Sequence, residues 1–186
     1  MILPIKTLAL AATVGALAIG AFAQTATEAA SNASPIYGVT IPPDYRDWKV
    51  VSVSEVEGKV HQLRVQLAND IAIKAFRDGT RPFPDGSVVV AAHWNTEVPE
   101  GNNKVLAGVG FRSTIAASPA NVQFMVKDSK KFAATGGWGF ADYKGGKPGD
   151  KALHQTCFPC HTPAKDRDYV FTHTHRSFHR QPFDAA

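Results

Sequence analysis

The chain has two cysteines in 186 residues, Cys157 and Cys160, so at most one disulfide is available to it. A bridge across the two residues between them would close little chain and stabilise little. Beyond the initiator there is one methionine, Met125. Lysine and arginine nowhere form a run, which argues against a nucleic-acid groove and leaves a mixed-charge solvated surface. No uninterrupted apolar stretch reaches the roughly 20 residues that cross a bilayer. There is no internal repeat, and no long helical periodicity of the kind that connects parallel strands.

The apolar stretch at the start has a different use. "MILPIKTLALAATVGALAIGAFAQ" runs from Lys6 through Leu8 to Ile19 and on to the small-residue pattern Ala21-Phe22-Ala23. That is the order of a secretory signal peptide, with cleavage expected after Ala23. Taking 23 residues from 186 leaves 163, enough for one domain with a substantial core, and the formal charge of +4 falls to +3 with Lys6. The expected organisation is a signal peptide at 1–23, a flexible leader at 24–41, a domain at 42–172 and a tail at 173–186.

In an exported chain the stretch Thr156-Cys157-Phe158-Pro159-Cys160-His161 has three readings. The lone disulfide is weak for the reason given. A redox pair would want a strand-to-helix context, which the polar stretch before Cys157 does not supply. Covalent haem attachment accounts for the spacing. Each thiol adds to one haem vinyl group and the adjacent histidine supplies a nitrogen to iron, with i, i+3 and i+4 on one helical face. Thr156 is the expected N-cap, placing Pro159 in the first turn, and Pro163 limits the helix beyond it. Cys157 and Cys160 are therefore the thioether candidates for one haem c, and His161 the proximal iron ligand.

Upstream, "VHQLRVQLA" alternates with His61, Leu63, Val65 and Leu67 on one face and Gln62, Arg64 and Gln66 on the other, a strand with one buried side. Asn69-Asp70 caps a short helix, "IAIKAFRD", that ends at Gly79. The turn "RPFPDGS" leads into a β-branched strand, "VVVAAHWNTEV". Two more strand candidates, "VLAGVGFRSTIAA" and "NVQFMVKDS", precede "GGWGFADY". The expected fold class is α+β, mainly β: a mostly antiparallel sheet with short helices and the haem helix near the C-terminus.

Taken in order, "PPDYRDWKVV", "FPDGS", "VKDSKKFAATGGWGF" and "CFPCHTPAKDRDYVFT" resemble the cytochrome P460 and cytochrome c′-β family of periplasmic monohaem proteins, from Pro42 to Thr172. The resemblance implies a β-rich domain that commonly dimerises, with histidine on one side of a pentacoordinate haem. It also implies that Arg64 matches an arginine near the haem. In cytochrome P460 proper a lysine on the strand after the "DG" turn bonds to the haem ring, and the modified haem oxidises hydroxylamine. The matching position here is Ala91, which cannot form that bond. Where hydroxylamine-oxidising members have a carboxylate near the open iron position, this sequence has Gln123, which cannot take a proton as a base would.

The sixth iron position separates the functional readings, because iron ligated on both sides mostly passes electrons and an open one binds small molecules. Met125, His61, His93, His154, His173, His175 and His179 are the side chains that could close it, and Met125 on an alternating strand packs more readily in a core. His93 lies two residues past Ala91 and so points to the same sheet face. With Ala91 in the lysine position, the expected function is an exported, redox-active haem c protein whose open iron binds nitric oxide or a similar small ligand in an apolar pocket. A hydroxylamine-oxidising enzyme and a six-coordinate electron carrier with a redox partner protein are the alternatives.

Overall fold

The computed structural model of the chain describes residues 32–172. The expected signal peptide, the first part of the leader, and the tail with His173, His175 and His179 lie outside the described residues. Six strands form one antiparallel sheet in chain order: β1 (Lys49–Val56), β2 (Gln62–Ala68), β3 (Val88–Glu97), β4 (Ile115–Lys127), β5 (Trp138–Lys144) and β6 (Lys147–Pro148). Among the described residues three short α-helices accompany them, α1 (Asp70–Asp78), α2 (Glu100–Leu106) and α3 (Lys151–His161). The fold is thus α+β and mainly β, as the strand patterns and the lack of long helical periodicity imply.

Local chemistry sets the element ends. Asn69 caps α1, its side-chain oxygen accepting from Ala72 N–H and from Val88 N–H at 3.1 Å each, so one residue ties the helix start to the head of β3. Gly79 closes α1 at φ 68°, where a Cβ would be strained. Two expectations change downstream. Residues 105–114 belong to α2, a 3-10 turn at Ala107–Val109 and a loop, and β4 runs unbroken from Ile115 to Lys127. Gly108 and Gly110 disfavour a strand there, Gly110 sitting at φ 79°. Pro119 is tolerated within β4 because the β3–β4 register shifts on either side of its partner Trp94.

Upstream of β1, the last residues of the expected leader, which reaches residue 41, are packed. Tyr37 and Val39 are buried in the core, Ser34 Oγ donates to Phe140 O at 3.0 Å, and Tyr143 OH donates to Val39 O at 2.7 Å. Their apolar side chains and two long-range hydrogen bonds pack 34–41 against the sheet.

Register sorts the strands into two faces, because directly opposed residues share a side. On one face run the rows Arg64–His93, Gln66–Ala91–Gln123–Asp142 and Ala68–Val89–Met125–Phe140. The other carries Leu67–Val90–Phe124–Ala141 and Val65–Ala92–Val122–Tyr143, with Tyr45 edge-on to Phe124 at 5.2 Å. Beneath the first face Phe76, Phe83 and Trp138 stack edge to face, with ring centroids 4.9 and 5.6 Å apart. Each such buried ring contributes about 1.5–3 kcal/mol by removal from water. Both sides of β2 are half-buried, not one as its alternation suggests, since Gln62, Arg64 and Gln66 are partly covered as well.

Candidate functional site

Helix α3 carries the cysteines and lies against β5. Its N-cap is Asp150, whose Oδ1 accepts from Leu153 N–H at 2.8 Å, and not Thr156, whose hydroxyl donates back to Leu153 O at 2.7 Å. The helix starts earlier than its cysteine motif suggests because Asp150, following Gly149, is the better cap. Pro159 consequently stands near the C-terminal end of α3, where it removes one intrahelical bond, and the α-helix stops two residues later, before Pro163.

Cys157 and Cys160 are both free thiols, the first half-buried and the second exposed. Burial, then the Asp142 carboxylate, then the neighbouring Cys160 push the Cys157 thiol up to about 11. A reactive disulfide-exchange pair needs the opposite shift, so this environment disfavours redox exchange at neutral pH. His161 follows on the same helical turn. Its Nδ1–H donates to Tyr169 O at 2.7 Å, and burial, opposed by that bond, lowers its pKa and keeps the ring neutral. The Phe140 and Phe171 rings lie 5.1 Å from it on centroids. With Nδ1 committed, the lone pair falls on Nε2, the arrangement in which imidazole binds metals.

The Tyr169 carbonyl is held in place by an unusual stretch of backbone. Asp168 and Tyr169 are consecutive non-glycine residues at φ 53° and 64°. Each costs about 1–3 kcal/mol, so the surroundings must hold them there. Asp168 is buried in an ion pair with Lys127 Nζ at 2.8 and 2.9 Å and also accepts from Phe83 N–H at 2.8 Å. Sequence reasoning missed both partners, which are 41 residues apart.

Opposite the thiols stands the first sheet face. Cys160 lies close enough to Arg64 to oppose the lowering of its pKa by burial, and Asp142 acts on Cys157. Arg64, Ala91 and Gln123 thus share one sheet face, and the charges link that face to α3. Ala91 presents a methyl, half-buried, and Gln123 is exposed with Nε2 donating to Asp142 Oδ2 at 2.7 Å. Asp142 also accepts from Asn121 at 2.7 Å. A buried carboxylate therefore sits one strand beyond Gln123, a placement that only the β4–β5 register reveals.

The other side chains weighed for the sixth position separate clearly. His154 is fully buried with both ring nitrogens used, Nδ1–H donating to Asp150 O at 2.8 Å and Nε2 accepting from Asp142 N–H at 3.2 Å. His61 is exposed and bonded to Glu55 at 2.6 Å. Met125 packs in the core. His93 is 3% exposed, its Nδ1 3.3 Å from Gln62 Oε1 and its Nε2 buried without a hydrogen-bond partner. Burial and then Arg64 lower its pKa to about 4, with Asp142 and Gln123 opposing.

The titration of His93 has a measurable consequence. Between about pH 6.5 and 4 the unfolded chain takes up a proton that folded His93 refuses, so its stabilising contribution is complete above 6.5 and lost as pH falls to 4. The loss amounts to about 3 kcal/mol. Urea unfolding of the wild type is expected to show its midpoint falling steeply across that window, and His93→Gln a shallower fall; equal slopes would contradict it.

Arg64 Nε, Gln66 Oε1 and His93 Nε2 are buried without partners, all three on the face toward the thiols. Two thiols, an imidazole with a directed Nε2 and unpaired polar atoms opposite them suit a haem bound between helix and sheet. A CxxCH helix laid on one face of an antiparallel sheet defines a β-rich c-type cytochrome. The family model for cytochrome P460 matches residues 42–172, and the chain belongs to that family, whose members carry haem c. No curated protein matches the chain.

Proposed function

We propose that this is an exported, periplasmic monohaem cytochrome whose iron keeps one side open for nitric oxide or a similar small ligand. Cys157 and Cys160 would hold the haem by thioether bonds, and His161 Nε2 would supply a nitrogen to the iron. Arg64, Ala91 and Gln123 line the ligand side, with His93 and Asp142 beside them. When bound, the haem supplies a redox-active iron with an exchangeable position.

Ala91 carries this reading. It shares a row with Gln123 and Asp142 on the face toward the thiols, and a methyl there can form no bond to a haem ring. Two of the other lysines have partners of their own. Lys127 is bound to Asp168 and to Gly136 O, and Lys74 pairs with Asp78 on α1. An unmodified haem favours ligand binding over hydroxylamine oxidation, which remains the enzymatic alternative. The pocket expected to be apolar is edged by Arg64, Gln66, His93, Gln123 and Asp142, so a bound ligand would meet hydrogen-bonding groups.

One observation supports a second reading. Neutral His93, with Nδ1 turned to Gln62 and Nε2 unpartnered, has the form of a metal ligand, and a His161–His93 pair would make an electron carrier that passes charge to a partner protein. A homodimer is part of the proposal too. The opposite sheet face offers an apolar groove lined by Tyr45, Leu67, Trp94 and Val122. Among the described residues no helix is long and apolar enough to cross a membrane.

Optical spectra of the purified holoprotein, oxidised and reduced, before and after carbon monoxide, test the reading. An ordinary c-type spectrum that changes with carbon monoxide is the expected result. Indifference to carbon monoxide would replace it with the two-ligand carrier, and a strongly red-shifted ferrous band would revive the cross-linked enzyme.

A further inference from the structure

We propose that the buried Lys127–Asp168 pair is a positioning device for the proximal ligand, setting from a distance how strongly His161 donates to iron; this rests on His161 being that ligand. The pair joins the last residue of β4 to the turn that follows α3. Lys127 Nζ holds both Asp168 oxygens and Gly136 O, and lies 5.0 Å over the Trp138 ring. Asp168 in turn receives Phe83 N–H. Three hydrogen bonds therefore converge on Asp168 in one short turn.

What the turn presents is the Tyr169 carbonyl. Tyr169 N–H donates to Ala164 O at 2.8 Å, its ring packs 5.3 Å from Phe158, and that ring occupies the space a Cβ on Gly136 would need. Side chain and main chain are both fixed, and the carbonyl is left aimed at His161 Nδ1–H at 2.7 Å. Left-handed geometry at two successive non-glycine residues would relax if it were not held. Relaxation would lengthen the bond to His161.

The strength of that bond matters to the iron. A strong acceptor at Nδ1–H gives the imidazole partial anionic character and makes Nε2 a better donor, which favours ferric iron and stiffens the iron–histidine bond. Loosening the pair should do the reverse. A merely structural ion pair would alter stability and leave the iron–histidine bond as it was.

The test compares haem-loaded wild type with Asp168→Asn, which removes the charge and keeps the shape, by ferrous resonance Raman and by reduction potential. The expected result is a lower iron–histidine stretching frequency and a more positive potential, with both thioethers intact. A folded, haem-loaded Asp168→Asn protein with both readouts unchanged overturns the proposal. Should that variant fail to accumulate, Asp168→Glu replaces it, keeping the charge while displacing the turn by one methylene, and the same two readouts decide. The wild-type mode must also vanish in His161→Gly. Its persistence there would overturn the assignment of His161 and the relay with it, whereas a mode that depends on His161 but ignores Asp168 overturns the relay alone.

Discussion

Replacing His161 by glycine is expected to leave the haem covalently held yet abolish the native spectrum, and added imidazole is expected to restore much of it. Two thiols three residues apart are independent of the histidine beside them, so attachment should survive. The proximal nitrogen should not. Among the histidines on the described residues, His154 has both nitrogens occupied, His61 is bonded to Glu55 on the surface, and His93 lies across on the sheet. None can move into the place that the Tyr169 carbonyl organises beside α3. The checks are optical spectra with and without imidazole and the mass of the haem-bound chain. Retention of the native spectrum in His161→Gly would remove His161 from its proposed role.

Lys127→Met is expected to be the most destabilising single change outside the haem motif, at about 3–5 kcal/mol. Lys127 is 5% exposed and Asp168 9%, so its removal leaves a buried carboxylate with one hydrogen bond, from Phe83 N–H, and the nearby Arg81 charge. The comparison that isolates the effect is Lys127→Met with Asp168→Leu, which removes both charges. Breaking a buried pair costs more than replacing it, so the double variant should recover part of the loss. Urea unfolding of the three proteins measures it. A Lys127→Met midpoint within error of wild type would show that the pair contributes nothing to stability.

The two results bear on the two ends of one chain of contacts. His161→Gly tests the proposed iron ligand, and Lys127→Met tests the frame that holds the carbonyl behind it. A protein in which the frame is essential to stability also has a fixed proximal geometry, because the same strained turn serves both. Function and fold meet at residues 168 and 169.

Legibility in the sequence followed the range of the interactions. The CxxCH motif is a single helical segment, and its spacing alone places both cysteines and His161 on one face. Alternation likewise marked β2, a β-branched run β3, and "NVQFMVKDS" the second half of β4, while Asn69 and Gly79 marked the ends of α1. Boundaries set by competing local choices were misread where two caps were available, as at Asp150 and Thr156. A glycine-containing stretch from Val105 to Arg112 looked extended by composition and folds as helix and loop, since its apolar residues have no strand partner.

The sequence by itself determined the chemistry on offer: two thiols, a histidine beside them, an alanine at position 91, and enough strand-forming segments to demand a sheet. Tertiary structure decided what surrounds that chemistry. Only register could bring Asp142 beside Gln123 and turn the partnerless nitrogen of His93 toward the thiols' side, and only the docking of the turn after α3 could join Lys127 to Asp168. The Gln123–Asp142 and Lys127–Asp168 contacts cross 19 and 41 residues of chain, and no local pattern encodes them because they depend on how whole elements align.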